Sequence, residues 1–204
     1  MPLQRPLGAT EQAIWLRDRA DPLHFVLTAQ IRGSIHPPRL LQALQRLQQR
    51  HPLLRVSIAP GSGKQPHFVE HAAPIPCRIL QRQGEQHWQA EAARELTHPF
   101  VWTDAPLVRV VLLQAATVAE LMLICHHAIA DGLAGVNLIQ EILRLLTNPD
   151  AALPARPLPP PLEALFPNRK PASAIQMLLA RAVLGWQQIR QRRQRRNQSR
   201  QQVV

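Results

Sequence analysis

The sequence predicts an α/β (α+β) fold: a mixed, partly antiparallel sheet with flanking helices. Three observations carry that reading. Two apolar segments, "PLVRVVLLQ" (106–114) and "AELMLIC" (119–125), lie close enough together to be a strand pair joined by a short turn. Residues 133–146 repeat apolar side chains at helical spacing, as do residues 40–47. The predicted strands are not each followed by a helix, which argues against a purely parallel sheet.

Taken in order, a first helix follows "RPLGAT", with Thr10 as its N-cap and Ile14 and Trp15 on one face. Residues 24–32, "HFVLTAQIR", read as a strand from their β-branched and aromatic content. Pro37 and Pro38 suit the first turn of the next helix, where a missing N–H costs nothing. Leu40, Leu41, Leu44 and Leu47 then recur opposite Gln and Arg positions, marking an inner face. "HPLLRVSIA" reads as a strand, "PGSGKQ" as a turn, and "PHFVE" and "PCRILQ" as extended chain. Residues 85–96 read as a helix. After the strand pair comes the 133–146 helix, with Leu138, Ile139, Ile142 and Leu145 inward.

Composition changes at Asn148. Residues 148–171 contain eight prolines and read as a stiff connector, which divides the chain into a half-domain at 1–147, the connector, a basic amphipathic helix at 172–196 and a tail at 197–204. No internal repeat of 20–50 residues is present. The net charge of +11 is unevenly placed: the 34 residues after Lys170 hold seven arginines and no acid. Nucleic-acid binding by the folded part is therefore not implied. In the 172–196 helix an apolar face (Ile175, Leu178, Leu179, Ala182, Val183, Trp186, Ile189) adjoins the arginines at 190–196, and peripheral contact with an anionic bilayer is one reading of that pattern. The other is a connecting helix left without its partner. Two cysteines, Cys77 and Cys125, do not make a disulfide framework and fit a reducing compartment. No apolar run is long enough to span a bilayer and the N-terminus has no secretory h-region, so a cytoplasmic location is expected.

The chemistry concentrates in "LMLICHHAIADGLAGVNLIQEIL", residues 121–143. Two histidines follow an apolar strand, and Asp131-Gly132 precede a helix. Adjacent strand residues point to opposite faces, so His127 is placed to meet a cavity while His126 faces away. Asp131 is suited to fix the loop through hydrogen bonds or an ion pair, and Gly132 to permit a tight turn. The amides at the start of the helix favour nearby negative charge. The same geometry keeps the two histidines from chelating one ion, and there is no HExxH or CxxC pattern, so no metal is expected. Cys125 reads as a packed apolar residue.

"HHAIADG" resembles the HHxxxDG signature of nonribosomal peptide synthetase condensation domains and related acyltransferases, a superfamily with the chloramphenicol acetyltransferase-like fold. "RPLGATEQAIW", "LLQALQRLQQRHPLLRVSI", "DAPLVRVVLL" and "LEALFP" are similar to other family segments in the same order, over residues 3–167. The likeness is nearest to stand-alone ester-forming members such as the dimycocerosyl transferases. The resemblance implies acyl transfer to a hydroxyl or amine from a thioester, carried on coenzyme A or on a carrier protein's phosphopantetheine arm, with no tightly bound cofactor. It makes His127 the general base and Asp131 a loop-shaping residue, with His126 and Gly132 supporting the geometry. It further implies one half of a two-half fold, because the second half's DFGWG-type motif is absent. That half, a second copy of the chain, or a carrier protein are the partners to expect. Arg5 and Arg109 are candidates to pair with Asp131. A non-catalytic partner-binding half-domain and a truncated fragment with a membrane-binding tail are the alternatives.

Overall fold

The paired apolar segments lie at the centre of a four-stranded sheet. The computed structural model describes residues 4–60, 65–71 and 73–165. Among them the order is β1 (Gln4–Pro6), α1 (Ala9–Asp18), β2 (His24–Arg32), α2 (Pro37–Arg50), β3 (Val56–Ala59), β4 (His67–Glu70), β5 (Cys77–Gln81), α3 (His87–Leu96), β6 (Val108–Gln114), β7 (Val118–His126) and α4 (Gly132–Thr147). The expected turn at 61–64, the helix at 172–196 and the tail at 197–204 lie outside the described residues.

The larger sheet has the order β2-β7-β6-β5. β7 runs antiparallel to both neighbours, with His24 opposite His126, while β5 and β6 are parallel. A parallel pair requires a crossover, and α3 sits in it. β1, β4 and β3 form a separate antiparallel sheet. The larger sheet is thus mixed and partly antiparallel, as expected.

β7 is buried from Ala119 to His126, which is why it reads as a nearly unbroken apolar run. On one face Leu121, Leu123 and Cys125 join the main core with Leu40, Leu44 and Leu47 of α2 and Leu138, Ile139 and Ile142 of α4. On the other, Met122 and Ile124 meet Val111 and Leu113, covered by Trp88 and Ala92 of α3.

Three local expectations are corrected. α1 is capped by Gly8, not Thr10: the Gly8 N–H donates to Glu11 at 2.7 Å, while the Thr10 N–H and hydroxyl both donate to Glu163 at 2.6 Å. The returning chain is close enough that a Cβ on Gly8 would lie 2.6 Å from Pro161 Cβ. "HPLLRVSIA" is not one strand, because Pro52–Arg55 form a 3-10 turn before β3. Pro52 fixes a helical φ at the position where its absent N–H is not missed. Leu41 is 50% exposed, one position outside the stripe that Leu40, Leu44 and Leu47 bury.

From Asn148 the chain runs without regular structure until a 3-10 turn at Leu162–Leu165. It is nonetheless strapped down. Arg46 donates to the Ala151 carbonyl at 2.6 Å and the Arg156 N–H to the Arg50 carbonyl at 2.9 Å. Glu141 of α4 receives Arg50, His51 and Arg156 together. No helix among the described residues is long and apolar enough to cross a membrane.

Candidate active site

The two histidines leave β7 on opposite sides, as strand alternation dictates. Both are anchored through the backbone. The His126 N–H donates to the Leu107 carbonyl and the His127 N–H to the Leu23 carbonyl, each at 3.0 Å, so the neighbouring strands hold the start of the loop from both flanks.

His126 is fully buried on the α3 face. Its Nδ1 accepts the Ala128 N–H at 3.0 Å, which assigns the ring proton to Nε2. That Nε2 lies 3.3 Å from Asp18 Oδ1, at an angle too oblique for a well-formed hydrogen bond. Asp18 closes α1 and is itself buried. It accepts from the Leu23 N–H, and from Trp102 Nε1 at 2.9 Å. Burial alone would raise its pKa, but His126, the Leu23 amide and Trp102 together hold it below the ordinary carboxylate value. His24, opposite His126 on β2, donates from Nε2 to the Glu95 carbonyl at 2.8 Å. Phe100 presents its ring edge-on to both imidazoles. Sequence reading found His126 but not Asp18, His24 or Phe100, which are brought together only by tertiary structure.

His127 is half-buried, its ring 4.8 Å from that of Phe25 on β2. Burial depresses its pKa below the ordinary histidine value and the field of His126 adds to this, while Asp131 and the Ala130 backbone act in the opposite direction. The ring is therefore predominantly the free base at neutral pH, able to accept a proton. The close approach of α4 to β2 holds Phe25 in place. A Cβ on Gly135 would lie 2.6 Å from Leu27 Cδ1 and 3.0 Å from Phe25 Cε2, so a side chain there would have to displace Leu27 and press on Phe25. Gly135 carried no sequence signal beyond being a glycine inside a helix.

Asp131 is exposed and caps α4, its Oδ1 accepting the Ala134 N–H at 2.8 Å. That amide is thereby occupied and not free for a developing anion. Among the described residues Asp131 forms no ion pair. Arg5 instead makes a two-pronged bond to Glu11, and Arg109 pairs with Glu95, so neither candidate arginine reaches it. Gly132 is the first residue of α4 and does not have a positive φ, unlike Gly33 and Gly84. With nothing within 4 Å of its missing Cβ, its conformational freedom is unused. Beside the loop, Leu133 is 72% and Val136 42% exposed, forming an apolar shoulder on α4.

Cys125 is fully buried, and burial pushes its thiol up to about 12, which removes it as a nucleophile. No group of three His, Cys, Asp or Glu among the described residues is arranged to hold a metal ion.

Comparison with known proteins converges on one family. The family model described as "Condensation domain" matches residues 20–159. A plipastatin synthase subunit of Bacillus subtilis (strain 168) is 28% identical over 151 residues, covering 70% of this chain and 4% of the relative. Tyrocidine synthase 2 of Brevibacillus parabrevis is 27% identical over 148 residues, covering 70% of this chain and 4% of the relative. Among solved structures, polyketide synthase associated protein 5 from Mycobacterium tuberculosis superposes with a TM-score of 0.61 at 22% identity, over 81% of this chain and 39% of that one. The condensation domain from Monacolin K polyketide synthase MokA gives 0.66 at 16% identity, over 75% of this chain and 36% of that one. The chain thus spans a few per cent of the curated relatives and under half of these solved chains.

Proposed function

From the premise that this chain belongs to the condensation-domain family, we propose that it supplies the N-terminal half of an acyl-transfer site with His127 as general base. The observation that carries the reading is the pairing of environments at the end of β7: His126 locked in the interior, His127 half-open and held as the free base. In the step proposed, a hydroxyl or amine of the acceptor attacks the carbonyl carbon of a thioester. His127 takes the acceptor's proton as the new ester or amide bond forms and returns it to the sulfur as the carbon–sulfur bond breaks, releasing the thiol and restoring the free base. A thioester is already activated, so positioning and proton removal are the chain's share of the work. The donor is a carrier protein's phosphopantetheine thioester or an acyl-coenzyme A.

The apolar shoulder of Leu133 and Val136 beside the loop supports a second wall over this site, supplied by a C-terminal half. Such a wall orients donor and acceptor and excludes water, so residues 1–204 by themselves are expected to turn over little or not at all. The test is acyl transfer by an assembly of this chain with a condensation-type C-terminal half, with and without His127→Ala. A loss of about 10²–10⁴-fold is expected. Near-full transfer by His127→Ala refutes the assignment. Binding of a loaded carrier protein without any transfer by the wild-type assembly favours a non-catalytic binding half instead.

A further inference from the structure

We propose that Asp18 is a positioning residue for the signature loop, acting through the tautomer of His126. The inference rests on the reading of His127 as the base, which it deepens by naming what holds that base in place. The Ala128 N–H points at His126 Nδ1 at 3.0 Å and can do so only while Nδ1 keeps its lone pair. The proton must then sit on Nε2, and the buried acceptor facing Nε2 is Asp18 Oδ1 at 3.3 Å. Reversing the tautomer would set a ring N–H against the Ala128 N–H, two donors facing each other in the interior, and the turn just after His127 would have to open.

Asp18 is placed to enforce this choice because it is itself fixed from two further directions, by the Leu23 N–H and by Trp102 Nε1. Leu23 also accepts from the His127 N–H through its carbonyl. The carboxylate therefore faces the imidazole on one side of the strand end and holds, through the Leu23 N–H, the residue that anchors His127 on the other. Replacing one oxygen by an amide cannot keep an oxygen toward Leu23, Trp102 and His126 at once. In Asp18→Asn, either Trp102 or the Leu23 and His126 donors face an NH₂.

The test is nitrogen-detected NMR of the full chain labelled in its histidines, comparing wild type, Asp18→Asn and Trp102→Phe. Circular dichroism serves as the check on folding. The wild type is expected to show His126 as a single Nε2–H tautomer. Asp18→Asn is expected to give a mixture of tautomers or line broadening at His126 and to move the titration of His127. Trp102→Phe, which leaves the carboxylate beside His126, is expected to keep the Nε2–H tautomer. A folded Asp18→Asn with an unmixed Nε2–H signal and an unmoved His127 titration overturns the proposal. So does an Nδ1–H tautomer in the wild type, which decides the matter even if Asp18→Asn does not fold. None of these readouts requires turnover, so they stand apart from the His127→Ala assay. A shifted tautomer with an active His127→Ala assembly would keep the clamp and remove the base.

Discussion

The two faces of β7 solve burial in opposite ways. Toward α2 and α4, Leu121, Leu123 and Cys125 meet an apolar core. Toward α3, Met122 and Ile124 are bracketed by Glu120 and His126, both buried and both provided with polar partners. Glu120 takes Arg82 Nε at 2.8 and 2.9 Å, and His126 faces Asp18. Nearby Glu95 draws in Arg78 and Arg109. Apolar contact is strong but has no direction. Hydrogen bonds and ion pairs have direction, and here the contacts of His126 and Glu95 stand near the strand end from which the loop departs, while the Glu120–Arg82 pair stands near the other. One face is packed without direction, the other orients the side chains it holds.

The largest effect that probes this contrast is on the polar face. Glu120→Ala strands a largely buried Arg82 and is expected to cost about 3–5 kcal/mol in urea unfolding. The double variant Glu120→Leu with Arg82→Leu should recover most of that. Failure to recover would mean the pair contributes net stability and the contrast is overdrawn. On the dry face, Leu123→Ala is expected to cost about 2–5 kcal/mol through lost burial and a cavity. It should leave the His126 tautomer unchanged. Asp131→Ala removes a cap, not a charge partner, and should cost about 1 kcal/mol, whereas Asp131→Asn should be nearly neutral. Faster hydrogen exchange at the Ala134 amide in Asp131→Ala alone would confirm that role.

The smallest effect is with pH. His24, His51 and His127 all have folded pKa values held below 6.5, chiefly by burial. Their neutral forms are favoured in the fold, so stability is complete above 6.5 and is lost as pH falls through the depressed values. Asp18, Glu95 and Glu141, also depressed, add a second loss below the ordinary carboxylate range. Melting temperature between about pH 8 and 2 should fall in two stages, and His24→Gln should flatten the first. A flat profile down to about pH 5 would contradict this.

Periodicity carried most of the fold. β2 appears at its predicted bounds, and α2 and α4 bury the leucines and isoleucines that spacing selected, apart from Leu41. Where the reading failed, contacts that periodicity does not register decided. Thr10 is not the cap because Gly8 and Glu11 start the helix earlier, and its own amide and hydroxyl, already in the first turn, go to the distant Glu163. The candidate arginines for Asp131 are satisfied elsewhere, Arg109 by Glu95 on α3. At the site, the opposite facing of the histidines followed from strand geometry alone. The carboxylate behind His126 did not, because Asp18 and His126 are joined only when α1 closes against the end of the sheet.

The pairing of β2 with β7 also sets a timetable. The partners His24 and His126 are roughly a hundred residues apart, and closing so long a loop is slow. The β6–β7 hairpin is local and can zip early, with Ala115 and Val118 closing its turn. β2, made far sooner during synthesis, must wait with its ladder unpaired until β7 emerges. The hydrogen bond from the His127 amide to Leu23 belongs to that docking event. The loop therefore takes its final shape only once this long-range pairing is made, so an immature chain exposes an open edge and an unanchored loop.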